Sequence, residues 1–173
     1  NDLLSLAEWE NTVSTLVTPL ALRPGMRVVE LGCGAGAFLA ALKRIEPGLQ
    51  ISGLDYAASM IAIAGTRLVG DFLVGDIRNC PALASASADV ACSFGVLLYL
   101  DSEADVSRAL EEIDRVAKPG GKIYVGEISD LAKRDLALRM RRSTHANHER
   151  VSPQDLQHLY LSREFVLAEA KRL

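Results

Sequence analysis

VVELGCGAGAF, residues Val28 to Phe38, joins a β-branched apolar run to three glycines set two apart, Gly32, Gly34 and Gly36. The pattern reads as a strand, a tight turn and a helix beginning near Ala37. In a parallel α/β sheet such a turn lies at the carboxyl ends of the strands, where ligands enter. One residue does not suit a plain buried strand. The carboxylate of Glu30 is costly to bury unless a cation or several donors meet it.

Outward from this stretch the chain alternates short apolar runs with helical patterns. MRVVEL, QISGLD, FLVGD, DVACSF and KIYVGEI predict strands near residues 26–31, 50–55, 72–76, 89–94 and 122–128. FLAALKRI and SMIAIAGTRL predict helices between them, and the alternation implies a parallel sheet covered on both faces. Pro24-Gly25 precedes the first strand, Pro47-Gly48 closes the first helix, and Pro119-Gly120-Gly121 closes the fourth. That fourth helix opens on Ser102-Glu103-Ala104-Asp105 and puts Val106, Leu110, Ile113 and Val116 on one stripe, the pattern of a packing helix. After Ile128 the chain turns basic, and Ser152-Pro153 and Ser162 read as two further helix starts.

With 173 residues, 49% apolar and 24% charged, the composition is that of one soluble globular domain. A formal charge of −3 gives no sign of a polyanion binder, so no nucleic-acid partner is expected. Cys33, Cys80 and Cys92 form no C-x-x-C pair and imply neither a disulfide framework nor a thiolate metal site; a cytoplasmic setting is expected. No apolar run reaches the roughly 18 residues of a membrane span, and no membrane partner is expected.

Gly32, Gly34 and Ala37 also satisfy the dinucleotide pattern G-x-G-x-x-G/A, and Asp55 follows Gly32 by 23 positions, near the spacing of a ribose-binding carboxylate. The glycines alone therefore leave NAD and other adenosine cofactors open. Glu30 separates them. It would repel a pyrophosphate and attract a cofactor that carries an ammonium and a sulfonium, and S-adenosylmethionine is such a cofactor.

The segment E-L-G-C-G-A-G, Glu30 to Gly36, resembles the acidic-x-Gly-x-Gly-x-Gly signature of the class I, Rossmann-like, S-adenosylmethionine-dependent methyltransferases. GLDYAASM with Asp55, VGDI with Asp76, DVACSFGVLLYL and RVAKPGGKIYVGE follow in the family's order, so the resemblance runs from about Pro24 to Ile128. It implies a three-layer α/β sandwich with a mostly parallel sheet of strand order 3-2-1-4-5. It also implies a closing antiparallel hairpin that residues 129–173 do not supply, and the expectation is that the native chain continues beyond Leu173. The whole chain is expected to form one domain: residues 1–22 an N-terminal helix or lid around Trp9, 24–128 the cofactor core, and 129–173 a substrate-side helical segment.

The resemblance also implies roles, residue by residue. Gly32, Cys33, Gly34 and Gly36 would line the methionine part, with Glu30 near its amino group. Asp55 would accept from the ribose hydroxyls, a task suited to a carboxylate. Tyr56 and Met60 would lie against ribose and adenine, Asp76 would take the adenine amino group, and Ile77 would face the ring. Ser93, Phe94 and Gly95 would form the wall beside the methyl group, and S-adenosylhomocysteine would be the product.

Many relatives carry histidines just after strand four, where this chain reads Leu97-Leu98-Tyr99-Leu100, so the proton-accepting group is left open, with Tyr99 and His145 as candidates. His145-Ala146-Asn147-His148-Glu149 fits neither zinc-helix order, and no metal is expected. Arg139, Arg141 or Arg142 could meet an anionic substrate group. The function expected is methyl transfer to a small molecule. The alternatives are a noncatalytic module of the same fold that binds a partner protein, and an NAD-dependent oxidoreductase.

Overall fold

A computed structural model describes residues 5–145 and 158–173, the side chains of 142–145 excepted. Five strands, β1 Arg27–Leu31, β2 Gln50–Asp55, β3 Asp71–Val74, β4 Ala88–Phe94 and β5 Ala117–Gly126, form one sheet in the order β3-β2-β1-β4-β5, all neighbours parallel. Helices α1 Leu6–Val17, α2 Ala37–Ile45, α3 Ala58–Arg67, α4 Glu103–Val116, α5 Arg134–His145 and α6 Arg163–Arg172 complete the order. The α/β class and the strand order 3-2-1-4-5 are those expected from the sequence.

The period of two along each strand divides the core into two layers. Val29, Leu31 and Ala91 pack with Val106, Ala109, Ile113 and Val116 of α4. Val28, Val90 and Cys92 pack on the other face with Val13 and Val17 of α1, Phe38 and Leu42 of α2, and Ile61 of α3. Each large apolar side chain buried this way contributes about 1.5–3 kcal/mol. Parity puts Glu30 on the α1–α2–α3 face, with Gly53 and Cys92 as its register partners on β2 and β4.

Local chemistry explains the helix ends. Ser5 caps α1 in a reciprocal box with Glu8, Ser102 caps α4 by accepting from the Asp105 N–H at 3.2 Å, and Ser162 caps α6 by accepting from the Phe165 N–H at 3.1 Å. The predicted start at Ser152-Pro153 lies outside the described residues.

Three boundaries depart from the sequence reading. Pro119-Gly120-Gly121 does more than close α4: β5 already pairs at Ala88↔Ala117, and the proline and glycines bulge out before pairing resumes at Val90↔Lys122. At its far end β5 stops at Gly126 rather than 128, because Glu127 turns to a left-handed backbone. Strand β3 ends at Val74, so Asp76 sits in the following turn, bridged to Asn79, rather than in the strand.

Candidate functional site

At the carboxyl ends of the strands lies a cavity of about 710 Å³, within the size range of small-molecule sites. Glu30, Gly32, Cys33 and Gly34 line it from β1 and its turn, Asp55, Tyr56 and Met60 from β2 and α3, and Asp76 and Ile77 from the loop after β3. Phe94 and Gly95 line it from the end of β4, and Tyr99 from the short turn beyond. Two expected residues are absent from the wall. Ser93 shares the parity of Ala91 and so belongs to the α4 side of the sheet, where its Oγ is buried without a hydrogen-bond partner. Gly36 is buried as the residue capping α2, and a Cβ there would come 2.6 Å from Leu68 Cδ1, so its role is to let α3's end pack against the turn. The His145 side chain lies outside the described residues.

Glu30 is 1% exposed, and its Oε2 has no hydrogen-bond partner. Burial, with the Asp55 charge behind it, holds its carboxyl well above the usual carboxylate range. Burial, then Glu30 and Asp55, push the neighbouring Cys33 thiol up to about 12, so it stays protonated and is no nucleophile.

Asp55 joins two parts of the rim. Its Oδ2 accepts the Gly34 N–H at 2.8 Å and its Oδ1 the Ala57 N–H at 2.9 Å, tying the glycine turn to the start of α3. Each oxygen keeps a further lone pair for a ligand. Above Gly34 the space is open, with nothing within 4 Å of where a Cβ would stand.

Asp76 is more occupied than the sequence suggests. Its Oδ1 accepts the backbone N–H of Arg78 at 2.8 Å, and the Arg78 guanidinium closes on both oxygens, Nη2 to Oδ2 at 2.6 Å. These hydrogen bonds hold its carboxyl below the usual range. Arg78 reaches on to Asp105 at 3.2 Å.

The wall includes Trp9, from the helix expected as a packing element or lid, and three charged residues the sequence reading left out. Trp9 of α1 lines the cavity, with its ring edge-on to Phe94 at 5.6 Å, and Phe94 stacks on Phe38 at 4.8 Å. Helix α1 therefore both packs on α2 and supplies part of the wall. Arg78, Asp101 and Glu127 also line it, which makes five carboxylates and one guanidinium in all. For Glu127 the signal was present: like Glu30 and Asp55, it is an acid at a strand's carboxyl end. For Trp9 the sequence left a lid and plain packing equally open, because nothing in an amphipathic helix states where it docks. Among the described residues no helix is long and apolar enough to cross a membrane.

A buried carboxylate oxygen without a donor, beside an acidic wall, is a misfit for a pyrophosphate and a fit for a ligand with an ammonium group. Residues 29–125, more than half of the chain, match the methyltransferase domain family. The chain belongs to the class I S-adenosylmethionine-dependent methyltransferases. Their cofactor, S-adenosylmethionine, is therefore this domain's cofactor.

The methyltransferase domain is 36% identical over 115 residues to malonyl-[acyl-carrier protein] O-methyltransferase of Pectobacterium atrosepticum, covering 64% of this chain and 43% of that protein. It is 31% identical over 130 residues to demethylmenaquinone methyltransferase of Renibacterium salmoninarum, covering 75% of this chain and 52% of that protein. The chain thus spans about half the length of these relatives. A crystal structure of geranyl diphosphate C-methyltransferase from Streptomyces coelicolor, in complex with Mg2+, geranyl-S-thiolodiphosphate and S-adenosylhomocysteine, shares the fold at a TM-score of 0.69 and 16% identity, covering 94% of this chain and 56% of that one.

Proposed function

We propose that this domain transfers a methyl group to a small-molecule acceptor by in-line displacement, with the cofactor held in the cavity at the strand ends. One observation carries the reading: Glu30 is a buried carboxylate whose Oε2 lacks a partner on the wall of that cavity. An ammonium is the kind of group it lacks. The bound cofactor supplies an activated methyl on a sulfonium, and the protein's share of the work is alignment and exclusion of water.

In this reading Glu30 meets the amino-acid ammonium, and Gly32, Cys33 and Gly34 present their backbone to the methionine part. Asp55 accepts from the ribose hydroxyls with the lone pairs that Gly34 and Ala57 leave free. Tyr56 and Met60 lie along the ribose and base, Ile77 faces the ring, and Asp76 takes the adenine amino group while Arg78 fixes its orientation. Phe94 and Gly95 border the transferring methyl.

The whole chain is read as a single domain in which α1 covers one side of the cofactor through Trp9. The relatives' names, one for a malonyl-acyl-carrier protein and one for a demethylmenaquinone, support a metabolite acceptor. An anionic part of that acceptor would sit toward α5, where Arg139 is exposed, and not against the acidic wall. Arg141 already donates to the Tyr160 hydroxyl at 3.0 Å. Three free, buried cysteines support a reducing, cytoplasmic setting.

Calorimetric titration with S-adenosylhomocysteine tests the reading. The wild type binds one equivalent, and Asp55→Ala, which removes two charge-assisted hydrogen bonds, weakens binding about a hundredfold. Unchanged affinity in that variant would remove Asp55 from the ribose. Absence of binding by the wild type would overturn the reading, and tight binding without turnover of any acceptor would favour the noncatalytic module.

A further inference from the structure

Glu127 follows the last residue of β5 with φ +59, a left-handed conformation that residues bearing a Cβ rarely adopt and that concentrates at functional sites. One strand over, Gly95 follows β4 with φ +69, and its N–H donates to the Gly126 carbonyl at 3.1 Å. A Cβ on Gly95 would come 2.6 Å from Glu127 Oε2 and 3.5 Å from its Cδ. The carboxylate therefore lies across Gly95, over the carboxyl end of β4, in space that glycine alone leaves free. Both residues line the cavity. Among the described residues the Glu127 carboxylate makes no hydrogen bond or ion pair.

The sheet order says which side of the cofactor this is. With adenosine along the ends of β2 and β3 and methionine at the turn after β1, the ends of β4 and β5 are left to the acceptor. Arg78, the wall's one cation, is held by Asp76 and Asp105 on the adenosine side. On the acceptor side the cavity wall thus offers an unpartnered carboxylate and, among the described residues, no cation.

We propose that Glu127 is a catalytic residue that faces the point of methyl transfer and takes the proton given up by the acceptor. The proposal rests on the cofactor reading of the cavity. It also narrows the substrate to molecules whose nucleophilic group has a proton to give up. The acceptor atom bonds to the methyl carbon as the carbon–sulfur bond breaks with its electron pair left on sulfur. The proton lost from the acceptor passes to a Glu127 carboxylate oxygen, which releases it to solvent after product leaves. The left-handed backbone is what turns this side chain over Gly95 rather than along the strand.

Two ligands test this by titration calorimetry: S-adenosylhomocysteine, and sinefungin, in which a carbon bearing a primary ammonium replaces the methylsulfonium. Glu127→Gln is expected to weaken sinefungin about tenfold, the loss of one charge-assisted contact, while S-adenosylhomocysteine stays within about twofold. Glu127→Gly, which relieves the left-handed backbone, is expected to raise the melting temperature and to lose the same preference for sinefungin. Equal weakening of both ligands by Glu127→Gln, or unchanged sinefungin affinity, would overturn the assignment. Failure of the wild type to bind either ligand would instead overturn the cofactor reading, and the proposal with it.

Discussion

Glu112 and Glu30 are both largely removed from water, and they meet opposite surroundings. Glu112, on α4, accepts from the Cys80 N–H at 2.9 Å and from Arg115 Nε and Nη2 at 3.0 and 2.7 Å. Arg115 goes on to the carbonyls of Cys80 and Leu83, so the group staples α4 to the loop before β4. Led by the Arg115 hydrogen bonds, these donors hold the Glu112 carboxyl at about 2. Glu30 has an oxygen with no partner, and its carboxyl stands well above the ordinary range. A carboxylate that holds the fold together is satisfied by the fold. In the proposed reading Glu30, left short of a cation, serves a ligand, and the folded state carries that cost until the ligand arrives.

Breaking the satisfied member has the largest expected effect on stability. Glu112→Ala strips the Cys80 N–H of its acceptor and leaves the Arg115 guanidinium without its carboxylate. Both partners keep some exposure, which moderates the loss to about 2–3 kcal/mol in urea denaturation. Cofactor affinity is expected to stay unchanged. A loss below about 0.5 kcal/mol would show that the staple is dispensable.

The unsatisfied member responds with the opposite sign. Because the folded-state carboxyl of Glu30 is raised, the native protein holds that proton more tightly than the unfolded chain. Stability without ligand therefore falls as pH climbs above about 4.5 toward the raised value. Glu112, whose carboxyl is lowered, adds stability that is full above about 4.5 and lost as pH falls toward about 2. Glu30→Gln should flatten the neutral side of the stability–pH curve and make the ligand-free domain more stable at pH 8, while weakening S-adenosylmethionine about tenfold or more. If the variant is less stable than wild type at pH 8, Glu30 is a structural acid after all.

Ser93 sharpens the contrast from the smallest end. Its buried Oγ also lacks a partner, yet it belongs to the α4 side of the sheet rather than the cavity. Ser93→Ala should change stability by no more than about 1 kcal/mol, in the stabilising direction, and leave cofactor affinity untouched. A drop in affinity would return Ser93 to the cavity wall.

These positions also mark what the sequence could be made to say. Strand positions and the glycine turn were legible because apolar runs, breakers and the strand-end acids Glu30 and Asp55 are local patterns, whereas the strand order came from the family resemblance those patterns carry. Ser93 was misassigned because three consecutive residues cannot all face one ligand when side chains alternate across a strand. Asp76 was read as a free acceptor because its closure by Arg78 depends on a turn conformation that residue types leave open. Trp9 reaches the cavity only through the docking of α1, a tertiary event with no local signature. Glu127 was legible by the same rule that singled out Glu30, an acid at a strand's carboxyl end, but its left-handed backbone was not.

The central claim is that the cavity's unmet carboxylate is there for the cofactor's ammonium. Ligand binding should then ionise Glu30 and release a proton. Titration of S-adenosylmethionine at a series of pH values from about 4.5 upward, each in two buffers of different ionisation enthalpy, measures that release directly, and the fluorescence of Trp9, the chain's single tryptophan, reports occupancy independently. One equivalent bound with net proton release, abolished in Glu30→Gln, is the predicted result. Binding with no proton exchange, or a fluorescence response to NAD and none to S-adenosylmethionine, would contradict it.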